Sequence, residues 1–117
     1  RLEVDAEQPL AYGMETNTAA FFAFSSAFEF TPRRGGASGH ADVPPPPASV
    51  ETVARYGSRD VLLSGWLEGE RFVAGRAAVV QATVGTGRVV LLGFPVQHRG
   101  QSLATFRLLF NPILSAH

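Results

Sequence analysis

Gln97, His98, Arg99 and Gln101 form the densest group of side chains able to bind a ligand or hold a proton, and they follow Gly93-Phe94-Pro95-Val96 at the end of an apolar run. Ligand sites in open α/β sheets gather beyond the carboxyl ends of strands, where the loop leads into a helix. His98, Arg99 and Gln101 in that place suit an anion at the start of a helix, with charge from the imidazole and guanidinium and directional bonds from the amide. The same side chains also suit tying the loop down by hydrogen bonds, and the sequence leaves both roles open.

Other chemistry is thinner. His40-x-Asp42 pairs two metal-ligating residue types, but it lies in a Gly- and Pro-rich stretch without a third ligand at metal spacing, and reads as solvated loop. The chain has no Cys, which removes a thiolate nucleophile, a Cys-ligated zinc, an iron–sulfur cluster and a disulfide framework. Ser64-Gly65 lacks the preceding Gly of a nucleophile elbow, and H-E-x-x-H, G-x-S-x-G and Walker sequences are absent. Gly85-Thr86-Gly87 is followed by a strand-like run instead of a helix, so it reads as a turn and not as a phosphate cradle. Trp66, the one Trp, reads as a core or lid residue, with ligand stacking as the alternative.

The elements that must position these residues are those of a β-rich α/β unit. Pro9–Met14 reads as a short extended piece ending in a Gly turn, and Ala19–Phe24 as a strand buried on both faces. Thr31 to Ser49 is a Pro/Gly-rich loop whose Pro44–Pro47 run favours an extended spacer. Val50, Val53 and Tyr56 mark a β-rich stretch, Val61–Leu63 a short strand, and Ser64–Gly69 one helical turn. Ala77–Val84 and Arg88–Gly93 around the Gly turn read as a hairpin. From Ser102 the residues Leu103, Phe106, Leu109, Phe110, Ile113 and Leu114 recur at three- and four-residue spacing, which predicts an amphipathic C-terminal helix that ends or kinks near Asn111 because of Pro112. On that reading Leu109→Ala costs about 2 to 5 kcal/mol, and Arg107→Ala little.

Composition bounds the rest. The 117 residues, 45% hydrophobic, suit a single domain with a core of its own, and Lys+Arg 10 against Asp+Glu 10 gives no electrostatic footprint for nucleic acid or anionic lipid. All the basic residues are Arg, a bias that reads as genomic. No apolar stretch reaches the roughly 18 residues of a membrane helix, so a soluble chain is expected. The chain begins at Arg1, which fits a piece of a longer protein.

Gly85–Phe94, Gln97–Gln101 and Thr105–Asn111, together with Pro9–Met14 and Leu62–Leu67, resemble the C-terminal class I glutamine amidotransferase-like domain of bacterial zinc carboxypeptidases in the carboxypeptidase A-like family. The resemblance implies part of a flavodoxin-like amidotransferase fold, with its opening strands and helix missing. In true class I amidotransferases a Cys nucleophile works with a His after a late strand. His98 resembles that His loosely, and the Cys is absent, so no glutaminase activity is expected. The peptidase's His-x-x-Glu zinc motif is absent too, which assigns zinc to the parent protein and no cofactor to this chain.

The resemblance therefore implies a non-catalytic accessory domain, structural or substrate-recruiting. Its partner would be a preceding peptidase domain or a second copy of the chain, covering an apolar surface left by the missing half. The compartment is not legible, although a secreted or periplasmic parent would fit. The alternative is a small-ligand-binding or enzymatic α/β domain built on the strand-to-helix loop 94–101.

Overall fold

The computed structural model of the protein describes residues 1–30 and 49–115. The Pro/Gly-rich loop, with His40 and Asp42, lies outside the described residues, except that Ser49 already belongs to a strand.

Five strands form one sheet: β1 (Leu2–Val4), β2 (Asn17–Thr18), β3 (Ser49–Tyr56), β4 (Ala77–Val84) and β5 (Gly87–Leu92), in the order β2-β1-β3-β4-β5. Every pairing is antiparallel. The β-branched residues of β3 and β4 suit this pleated surface, and the expected hairpin is present as β4–β5, with Val79 opposite Leu92 and Val84 opposite Gly87. Its two-residue loop needs a left-handed first residue, and Gly85 supplies it with φ 59. A mixed fold results, an antiparallel sheet with an edge hairpin and one C-terminal helix, α1 (Arg107–Leu114).

The core is drawn from both ends of the chain. Leu2, Leu10, Val53, Val79, Val96 and Leu108 are fully buried together, so the first strand and the last helix close over the same sheet. On β5, Val90 and Leu92 turn toward this core while Val89 and Leu91 stay 44% exposed. The alternation of strand side chains separates the two pairs.

Five expectations from the sequence differ from the fold. Ala19–Phe24 is not a buried strand; Phe21 and Phe22 are well exposed, and Phe24 is fully exposed in left-handed backbone (φ 50). The place beside β4 is already occupied by β5 and then by Phe28, which pairs with Ala77 as an isolated bridge. Val61–Leu63 forms no strand, and the helical turn expected at Ser64–Gly69 falls instead at Glu70–Phe72, after Gly69 reverses the chain at φ 77. Pro9–Ala11 is a 3-10 turn and not extended, although the chain does turn at Gly13 as expected (φ 75). Trp66 is not a core residue, being 84% exposed.

The C-terminal helix exists, but its face and start differ from the expectation. Two 3-10 turns, His98–Gly100 and Leu103–Thr105, precede α1, so the helical phase is set from Arg107 and not from Ser102. Thr105 and Leu108 are buried, and Asn111 and Pro112 are half-buried on the same side, a spacing of three and four residues. Leu103, Phe110, Ile113 and Leu114 of the expected buried stripe face solvent, and Leu109 is only half-buried. Pro112 is tolerated inside the helix, which runs on to Leu114.

Polar side chains fasten this segment. The Asn111 amide donates to Leu10 O (2.9 Å) and Tyr12 O (3.1 Å), tying α1 to the first turn of the chain. Thr105 Oγ1, fully buried, donates to Val96 O at 2.6 Å, with Ser102 O at 3.0 Å. Thr105→Val keeps the shape and strands a buried carbonyl, so a loss of about 1 to 3 kcal/mol is expected in urea unfolding. An unchanged midpoint would show that this bond holds nothing.

Candidate functional site

Phe21 and Phe22 form one wall of a cleft because the chain after β2 crosses the end of the sheet and is pinned there. Ser26 N donates to Gly93 O (2.6 Å), the Tyr56 hydroxyl donates to Ser26 O (2.8 Å), and Phe28 and Ala77 exchange two backbone bonds. Arg76 and Glu29 add an ion pair at the same edge. The crossing passes so close to Gly93 that a Cβ there would lie 2.4 Å from Ser26 O. Residue 93 has room for glycine only.

The facing wall is the irregular stretch 61–67. Val61 is buried and its N–H donates to Glu70 Oε1 (3.0 Å), while the left-handed Gly65 (φ 88) turns the chain so that Leu62, Leu63 and Trp66 stand exposed. Tyr56 and Val73 lie beneath. Phe22 meets Tyr56 edge-on at 5.4 Å, and Tyr56 meets Phe94 at 6.4 Å, so an aromatic chain runs from the wall into the core.

The cleft between the walls holds about 420 Å³. Its size and apolar lining are those of a small-ligand site. Among the described residues, Arg1 and Tyr56 are the titratable side chains that line it, with no carboxylate and no imidazole, and Ser64 is the lining aliphatic hydroxyl. A hydroxyl without a neighbouring base is a poor nucleophile. Bringing one aromatic ring out of water here is worth on the order of 2 to 3 kcal/mol, so the cleft is suited to holding an apolar group.

Burial pushes the Tyr56 phenol well above its usual value. The fold thus binds that proton more tightly than the unfolded chain, where the group ionises near pH 10. Its contribution to stability is intact below about pH 10 and is lost as pH rises beyond it. Urea midpoints measured from neutral to strongly alkaline pH are expected to fall more steeply in the native protein than in Tyr56→Phe. Parallel curves would contradict the assignment.

The four residues singled out by sequence do not line this cleft. Gln97, Arg99 and Gln101 are exposed and His98 is half-buried in a tight turn in which Arg99 and Gly100 are both left-handed (φ 47 and 70). Their side chains form no hydrogen bond with any described residue. Nor do they crown the helix: α1 begins at Arg107, after the second 3-10 turn, so the expected anion seat at a helix start is not built. His98 links this turn to the cleft wall: its ring lies flat on Phe21 with centroids 3.7 Å apart and planes at 14°.

Sequence reading missed the cleft by assigning Phe21 and Phe22 to a buried strand and Trp66 to the core or a lid. The available signal was the glycine frame of Gly65 and Gly69 around Trp66, which favours a turned, exposed segment over a packed one. Among the described residues no three His, Asp or Glu side chains come together as ligands. No described helix is long and apolar enough to cross a membrane. No protein-family model matches the chain, and no curated protein or solved structure matches it.

Proposed function

We propose that this chain is a non-catalytic accessory domain, the part played by the amidotransferase-like appendage of bacterial zinc carboxypeptidases, and that it works by binding. On this reading the chain supplies a hairpin-and-helix end of an amidotransferase-like domain, its all-antiparallel sheet departing from the mostly parallel sheet of a flavodoxin-like fold; zinc belongs to the peptidase part, and this chain carries no cofactor. The observation that supports it is the cleft itself: four aromatic side chains line it, and among the described residues no carboxylate or imidazole joins them. The outward apolar face of α1, with Phe110, Ile113 and Leu114, supports assembly with a further domain or a second copy.

Purified protein incubated with glutamine is expected to release ammonia no faster than the buffer does. Release at an enzymic rate would overturn the reading. Trp66→Ala, at an exposed position, should leave the melting temperature nearly unchanged while removing most of the affinity for apolar ligands.

A second reading keeps the loop 94–101 as the binding element of a small-ligand or enzymatic domain. It is favoured by one observation, the contact of His98 with the cleft wall.

A further inference from the structure

We propose that His98 is a positioning residue of the cleft, holding the Phe21 ring as a fixed wall for a planar aromatic ligand. The inference rests on the cleft being the binding site. Between Thr18, where β2 ends, and Ser26, where the chain is pinned to Gly93, the backbone has no hydrogen bond to any strand. Its local bonds are those between Ala23 and the Ser25 hydroxyl. Phe21 sits in the middle of this span, is 42% exposed and lines the cleft. A ring on such a span moves with the backbone unless something behind it is rigid.

His98 supplies the rigid backing. Its turn is closed by Gly100 N to Gln97 O and Gln101 N to His98 O, both 2.9 Å. The turn is anchored on one side by buried Val96, whose carbonyl accepts from Thr105 Oγ1. The left-handed backbone at Arg99, uncommon for a residue with a side chain, persists in this turn, and such strained positions concentrate where geometry serves a site. The imidazole lies behind Phe21 and outside the cleft lining, so it acts through the phenylalanine and not on the ligand. A flat ring is what the stack requires, and hydrogen bonding from its nitrogens is not.

The test is a 2-naphthol titration followed by amide chemical shifts in the native protein, His98→Ala and His98→Phe, with melting temperatures measured for each. Losing the stack is expected to weaken 2-naphthol by about two- to tenfold in His98→Ala. His98→Phe should restore affinity to the native level, with both variants melting near the native temperature. Unchanged affinity in His98→Ala overturns the proposal. So does a His98→Phe variant as weak as His98→Ala, because then the ligand needs the imidazole nitrogens. Should His98→Ala fail to fold, His98→Leu takes its place, expected to bind more weakly than His98→Phe and overturning the proposal if it binds equally. A native protein with no saturable response to 2-naphthol sinks the cleft reading before any variant is compared.

Discussion

Gly93→Ala is expected to destabilise the fold by about 3 kcal/mol or more, a large share of the margin of a domain this size. The added Cβ would sit 2.4 Å from Ser26 O, 2.9 Å from Ala78 O and 3.2 Å from the Tyr56 hydroxyl. Two of these neighbours are backbone carbonyls and cannot swing aside. Each is also engaged: Gly93 N donates to Ala78 O, and Ser26 O accepts from Tyr56. Relief of the clash therefore breaks the bonds that pin the aromatic wall to the sheet. Urea unfolding gives the stability, and the amide shifts of residues 19–28 report whether the wall has detached. A loss below about 1 kcal/mol, within the range of ordinary surface changes, would contradict this close approach.

Leu108→Ala is the second large effect, expected at about 2 to 5 kcal/mol, because it empties a fully buried site between α1 and the sheet. Phe110→Ala removes a larger side chain from the same helix and is expected to cost under about 1 kcal/mol, since that ring faces solvent. The pair fixes the rotation of the helix. If Phe110→Ala proved the more damaging, the helix would be turned with its apolar stripe inward.

The hairpin was legible because β-branched runs around Gly85-Thr86 leave little choice of turn or register. β3 was legible for the same reason. The helix face was not, because two of the positions that dock, Thr105 and Asn111, are polar and are held by hydrogen bonds that no hydrophobic count can register. Counting apolar residues selected a neighbouring face, of which Leu109 packs against the core while Phe110, Ile113 and Leu114 face solvent. The aromatic wall failed in a related way: Phe21, Phe22 and Phe24 look like core by residue type, yet β5 and Phe28 take the place beside β4 that a further strand would need. Of the candidate site, the loop Gln97–Gln101 was legible as a segment after a strand, but the helix start expected there was not, since α1 begins at Arg107. The stack of His98 on Phe21 joins this loop to a residue 77 positions earlier, and such a contact has no local signature.

The cleft between residues 19–22 and 61–67 as a binding site is the central claim, and a 2-naphthol titration of the native protein tests it most directly. Saturable amide shifts concentrated at Phe21, Phe22, Leu62, Leu63 and Trp66 are the predicted result. Shifts centred on Gln97, Arg99 and Gln101 instead, or no saturation at all, would contradict it.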